Sequence, residues 1–174
     1  DRFMTSNFKG DQGFTDLIGE SVVSKADLRI KAIGAVDEAW AALGLARSFV
    51  TINNHKATIL QIQKDLYMLM AQLAGATYAP EGNRLIDNKA VEWLEREISA
   101  IESQTLMPES FITSGDTPRS GFLALARTII RRAEREVVAL ANHYENMDKI
   151  LIKYLNRLSM LCFMIELSET SNSN

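Results

Sequence analysis

The stretch "ARTIIRRAEREVVAL", residues 126–140, decides the fold. At about 100° per residue, Ala126, Ile129, Ile130, Ala133, Val137 and Leu140 fall into one apolar stripe. That period belongs to an amphipathic helix and not to a strand. Arg127, Arg131 and Arg135 follow at i, i+4 and i+8 beside the stripe, with Glu134 at its edge and Arg132 and Glu136 pointing elsewhere. Like charges at this spacing repel by roughly a few tenths of a kcal/mol on an isolated helix, so local helix physics does not favour the column. Two readings stay open. One is a solvated flank with Glu134 and Glu136 as partial counter-charges. The other is a column that meets anions, either carboxylates of other helices or a polyphosphate. Arginine's planar fork suits both kinds of anion.

Working outward, the same period recurs. Residues 26–50 place Leu28, Ala32, Ala35, Val36, Ala39, Leu43 and Ala46 on one face, and "VDEAW" sets Asp37 and Glu38 against that apolar side. A second helix is expected over 54–73 and a third over 87–103 with Asp87 as its cap. Thr117-Pro118 reads as an N-cap with proline at the first helical position, opening a fourth helix that ends near His143. A fifth covers about 147–168. Five helices with no strand of weight predict an all-α, up-and-down bundle. It forms one domain over 1–174: a glycine-bearing segment at 1–24, the bundle at 26–168, and a polar tail at 169–174. Two long connections stand outside the helices, 5–24 and 104–117, and loops of that length are usually functional or disordered.

Composition narrows the partners. The chain has 174 residues, is 47% hydrophobic, and carries a net charge of −3 without a basic tract of five. This argues against nucleic acid or an anionic membrane as partner, while a few cations in one pocket would still suit a phosphate-bearing small molecule. Cys162 is the only cysteine, which rules out an internal disulfide and makes a cytoplasmic location the default. No apolar run is long enough for a bilayer and no signal peptide is visible.

Other candidates are weaker when each is read alone. "FKGDQGFTDLIG" groups Lys9, Gly10, Gly13 and Thr15, whose backbone N–H groups could cradle phosphates, but no Lys-Ser/Thr follows as in a Walker A loop. His55 and His143 lack partners at metal spacing, and the Glu-x-x-His pairs of di-iron bundles are absent, so no metal-ligating residue is assigned. Cys162, among Leu161, Phe163 and Met164, reads as core. Asn156 and Arg157 in "YLNRLSMLCF" are either a surface pair or polar groups reaching into a site.

In order and spacing, "GDQGFTDL", Lys25 and Arg29, "GAVDE", "ARTIIRRAEREVVAL" and "YLNRLS" resemble the ATP:cob(I)alamin adenosyltransferases of the propanediol-utilisation type, over residues 8–166. The resemblance implies a five-helix bundle assembled as a homotrimer with active sites between subunits. It implies ATP, Mg2+ and cobalamin as ligands, and transfer of the 5′-deoxyadenosyl group to the corrinoid with release of triphosphate. Carried over residue by residue, Gly10, Asp11 and Gly13 match the loop around the triphosphate, Lys25 and Arg29 match basic residues near it, and Lys9 and Thr15 are added to that loop as nucleotide-binding candidates from the glycine segment itself. Arg127 matches the arginine that pairs with the helix-one aspartate, here Asp37, across the subunit boundary. Arg131 and Glu134 match nucleotide-site residues, Asn156 matches the asparagine on the nucleotide, and Phe111 matches the phenylalanine that displaces the corrinoid's lower base. The chain departs from the family's pattern at Phe8 (arginine in the family), Lys31 (glutamate), Trp40 (asparagine) and Met160 (aspartate), and in "TSGD", which stands for "LPGG" after Phe111. A second reading is therefore a trimeric paralogue that binds nucleotide or corrinoid without turnover.

Overall fold

The computed structural model describes residues 9–108, 112–144 and 147–171. Five helices account for most of them: α1 (Leu28–Phe49), α2 (Asn53–Leu73), α3 (Asn88–Glu102), α4 (Pro118–His143) and α5 (Ile150–Ser171). α1 packs against α2 and α4, α4 against α5, and α5 against α3. Both helices bury small side chains, Ala32, Ala35, Ala39 and Ala46 on α1 and Ala126 and Ala133 on α4. Small residues let the two backbones approach closely, and interaxial distance follows the side chains at the contact.

The helix ends follow from their sequences. Asp27 caps α1 by accepting the Arg29 N–H, and Asp87 caps α3 by accepting from Ala90. Thr117 and Ser120 form a reciprocal capping box at the start of α4, with Pro118 in the first turn. α2 has no side-chain cap of its own, since Ile52 occupies that position. Its acceptor comes from α5 instead. Glu169, fully buried, takes the N–H groups of Thr51 and Ile52 at 3.1 and 3.0 Å, the Thr51 hydroxyl at 2.8 Å, and His55 Nδ1 at 2.9 Å.

This corrects the reading that the chain turns into a polar tail at 169. α5 continues to Ser171, and Glu169 is part of the core. The period looked broken there because a charged residue stood at a buried position. Its charge is matched by the α2 N-terminus, where anions are favoured. A second buried carboxylate, Asp65, is similarly matched. Arg84 grips both its oxygens, Gln61 donates to Oδ1, and the Tyr154 hydroxyl donates to Oδ2 at 2.8 Å.

The segment before α1 also differs from the expected irregular loop. A short 3-10 turn (Lys9–Gln12) leads into a hairpin of β1 (Phe14–Leu17) and β2 (Glu20–Ser24). Phe14 faces Ser24 and Leu17 faces Glu20, with a register irregularity between Thr15 and Leu17. Gly19 turns the chain at φ +80°, a conformation open to glycine at little cost. Of the glycines that argued for a loop, Gly19 makes the hairpin turn, while Gly10 and Gly13 lie in and just after the 3-10 turn before β1.

Candidate functional site

α4 and α5 run antiparallel, and their contact carries the polar groups singled out above. Arg127, Arg131 and Asn156 line one cavity of about 340 Å³ together with Ser159, Met160 and Phe163. Glu134 joins them through Asn156, whose side-chain amide donates to Glu134 Oε1 at 3.1 Å. The volume lies in the range of small-ligand clefts. Its lining is mixed, with two α4 cations and an α5 amide beside a thioether and an aromatic ring. Such a lining suits a ligand with an anionic end and an apolar or aromatic body.

The arginines of α4 divide their roles. Arg132 pairs with Glu38 of α1, and Glu136 with Lys31 at 3.1 Å. These two belong to the α1 contact, and they separate cleanly from the column. Arg135 leans back onto the Arg131 carbonyl at 3.4 Å. Arg127 is half-buried, and its Nε is shielded from solvent without a hydrogen-bond partner among the described residues. The expectation that Asp37 sits against the apolar side is corrected: Asp37 and Glu38 are both exposed on α1. "VDEAW" runs apolar–polar–polar–apolar–aromatic, and Val36 and Ala39 are the residues that face inward. Within the chain, the α1 carboxylate that meets an α4 arginine is Glu38, and its partner is Arg132.

Asn156 and Arg157 part company. Asn156 faces the cavity, while Arg157 crosses to Glu95 of α3 at 2.9 Å. Arg157 also donates to Asn156 Oδ1 at 2.9 Å, which fixes which end of the amide points towards Glu134. Cys162 is fully buried, and its thiol is pushed up to about 12, first by burial and then by Glu166, with Arg127 pulling the other way. It is core, as its apolar neighbours indicated.

The glycine segment builds a second polar cluster. Lys25 Nζ donates to the Gly10 carbonyl at 2.8 Å, and the Lys25 N–H donates to the Gly13 carbonyl at 2.8 Å. A Cβ on Gly10 would lie 2.7 Å from Lys25 Nζ, so glycine here lets the lysine cross the loop. Arg29 forks onto both oxygens of Glu20 at 2.9 Å and also meets Asp27. These bonds raise the Arg29 pKa further, and hydrogen bonding to Arg29 first, then its charge, holds the Glu20 carboxyl below its usual range. Asp11 is exposed in the 3-10 turn and Thr15 half-buried on β1. Phe8, Phe111 and the Lys9 side chain lie outside the described residues.

The two clusters are not adjacent in one chain. Arg29 lies 5.8 Å above the Tyr144 ring, just past the end of α4. Arg131 is thirteen residues earlier on that helix, about 20 Å along its axis. The sequence placed both sets of residues but not their separation. Ser159 and Phe163 were missed as cavity residues, because at single positions they read as ordinary helix-face residues.

Comparison with known proteins gives these clusters a context. Residues 6–169 match the family model described as cobalamin adenosyltransferase. The corrinoid adenosyltransferase of Mycobacterium tuberculosis is 36% identical over 160 residues, covering 90% of this chain and 83% of that protein. The corrinoid adenosyltransferase PduO of Salmonella typhimurium is 34% identical over 166 residues, covering 95% of this chain but 49% of that protein. The chain thus spans about half the length of the PduO relatives it matches. Among solved structures, a variant PduO-type ATP:corrinoid adenosyltransferase from Lactobacillus reuteri, complexed with cobalamin and ATP, superimposes with a TM-score of 0.83 at 28% identity. That match covers 96% of this chain and 90% of the other. A bundle with this α4–α5 cavity, matched over nearly its whole length, belongs to the cobalamin adenosyltransferase family.

Proposed function

We propose that the protein transfers the 5′-deoxyadenosyl group of ATP to cob(I)alamin, giving adenosylcobalamin and triphosphate. The observation that carries this reading is the shared cavity of Arg127, Arg131 and Asn156, with Glu134 held on the asparagine. Cob(I)alamin is a strong cobalt nucleophile, so attack on the 5′ carbon needs no general base. The protein has to align the two reactants, stabilise charge on the departing triphosphate and keep water out. Arg131, with Arg127 behind it, is set to meet the phosphates, and Asn156 to orient the nucleoside. Met160 and Phe163 offer the apolar wall for the corrinoid side, where Phe111 is assigned to displace the lower base.

The hairpin supplies the other half. Gly10, Asp11, Gly13 and Thr15, with Lys9, Lys25 and Arg29, form the segment assigned to wrap the triphosphate. Because it is rooted about 20 Å from Arg131 within one chain, the proposed site joins the hairpin of one subunit to the α4–α5 cavity of the next. The oligomer is proposed as a homotrimer, with Asp37, exposed on α1, reaching the neighbour's Arg127. Among the described residues no cluster of three or more His, Cys, Asp or Glu is disposed to hold a metal ion. Magnesium is assigned to the substrate, as MgATP, on that ion's preference for phosphate oxygens and retained waters. No described helix is long and apolar enough to cross a membrane.

Met160, half-exposed in the cavity where the family's pattern has an aspartate, favours a second reading in which ligands bind without turnover. One assay separates them: visible absorbance of the purified protein with ATP, magnesium and chemically reduced cobalamin. The spectrum is expected to shift to that of adenosylcobalamin, and Arg131→Ala to slow the shift by about 10²-fold or more. No shift beside a working control enzyme would leave the binding-only reading standing.

A further inference from the structure

Glu166 is a buried carboxylate that the proposed reaction does not use. It is 3% exposed on α5, and its Oε2 has no hydrogen-bond partner among the described residues. Arg127 of α4 presents the complementary defect, a shielded Nε without a hydrogen-bond partner among the described residues, and the two groups make no hydrogen bond to each other. Buried polar atoms are seldom left open, and a buried charge without a counter-charge is costly.

The helix register relates the two. Glu134 meets Asn156 at one end of the α4–α5 contact, and Arg119 meets Glu169 at the other. Between these ties Arg127 lies opposite 161–163 and Glu166 opposite 122–124. Helical side chains lean towards their own N-terminus. In an antiparallel pair, Arg127 therefore leans towards the level of Glu166, and Glu166 towards the level of Arg127. Cys162, one turn before Glu166, registers both groups: Glu166 pushes its thiol up and Arg127 pulls it down. A guanidinium has five N–H donors in a rigid fork, so it can serve a carboxylate behind it while its outer edge faces the cavity.

We propose that Glu166 is the own-chain counter-charge of Arg127, a positioning residue that holds the guanidinium against α5 so that its outer edge faces the α4–α5 cavity. The role is distinct from the pairing of Arg127 with Asp37, which uses a neighbouring subunit. It rests on the proposed function only for its catalytic consequence.

The test has two arms on the full-length protein. The first is a double-mutant cycle in thermal unfolding with Glu166→Gln, Arg127→Gln and the double variant, without ligand. Coupled charges predict that the double variant unfolds about 2–4 °C above the sum of the single effects. Additive shifts would overturn the proposal whatever the protein catalyses. The second arm is kinetic. Glu166→Gln is expected to lower kcat about tenfold while the KM for ATP changes less than threefold, and to have no further effect in an Arg127→Gln background. An unchanged kcat would overturn the positioning role, because a purely structural carboxylate moves stability alone. If the wild-type protein forms no adenosylcobalamin, the functional reading falls, and the unfolding cycle still decides the ion pair.

Discussion

Asp65 and Glu169 show what single residues do for this bundle. Each is a carboxylate in the core, and each takes donors from other parts of the chain, Asp65 from Arg84 and Tyr154 beside its own-helix Gln61, Glu169 from Thr51, Ile52 and His55. Breaking such a pair by removing one partner costs more than the pair itself contributes, because a charge is left buried. Arg84→Ala is expected to destabilise by about 3–5 kcal/mol, a fall in Tm of roughly 10 °C for a chain of this size. Tyr154 shares the Asp65 carboxylate, and burial, then that charge, holds its phenol well above its ordinary value. A drop in Tm under about 2 °C would mean that Gln61 and Tyr154 suffice for Asp65. Glu169 gives a pH prediction. Burial pushes its carboxyl up, but the bonds from His55, Thr51 and Ile52 outweigh burial and leave it below its ordinary 4.5. A folded value below the unfolded one means that the stabilisation is fully present above the unfolded pKa and is lost as pH falls through the folded one. Tm should therefore decline below about pH 4.5 in the wild type, and less steeply in Glu169→Gln. That variant should start lower at pH 7, by about 1.5–3 kcal/mol for the lost charge-assisted bonds. Parallel Tm–pH curves for the two proteins would count against this account.

At the scale of the element, α4 combines both kinds of information. Its apolar stripe and its Thr117-Pro118 start were legible because period and capping are local properties. Its capping box adds a direct check: Thr117→Ala should cost about 1 kcal/mol and lower Tm by about 2–4 °C, with Ser120 left unreciprocated. The arginine column was legible as a column, since i, i+4, i+8 spacing puts Arg127, Arg131 and Arg135 on one line. What each arginine meets was not legible. Arg132 finds Glu38 and Arg131 finds the cavity because of how α1 and α5 flank the helix, and flanking is a tertiary fact. The hairpin was missed for a related reason. Gly13 and Gly19 break any helical period, and pairing Phe14 with Ser24 or Leu17 with Glu20 leaves too little alternation to show as strands. The end of α5 was misread because Glu169 looks like tail composition until the α2 N-terminus is placed beside it. Local pattern gave elements and columns; partners from across the bundle decided the rest.

At the scale of the whole molecule, the separation of the two clusters sets the main question. Were the site contained in one chain, the hairpin would have to reach from the end of α4 to its middle, yet Lys25 and Arg29 hold it at the α1 N-terminus through Gly10, Glu20 and Asp27. The proposed site shared between subunits would remove that conflict, with symmetry bringing the hairpin of one copy to the α4–α5 face of another. The shared site makes a specific forecast. Lys25→Ala disables the hairpin half and Arg131→Ala the cavity half, so each homogeneous protein should be nearly inactive. If they are mixed in equal amounts, unfolded and reassembled together, a site works only where the hairpin comes from an Arg131→Ala subunit and the cavity from a Lys25→Ala subunit. Random assembly of cyclic oligomers gives that combination at about a quarter of the sites. Formation of adenosylcobalamin should then recover to about a quarter of the wild-type rate. Reassembly of either variant alone should recover nothing. A mixture as inactive as its components would place both clusters' work within single chains, and the hairpin would then have to swing the length of half a helix to meet Arg131.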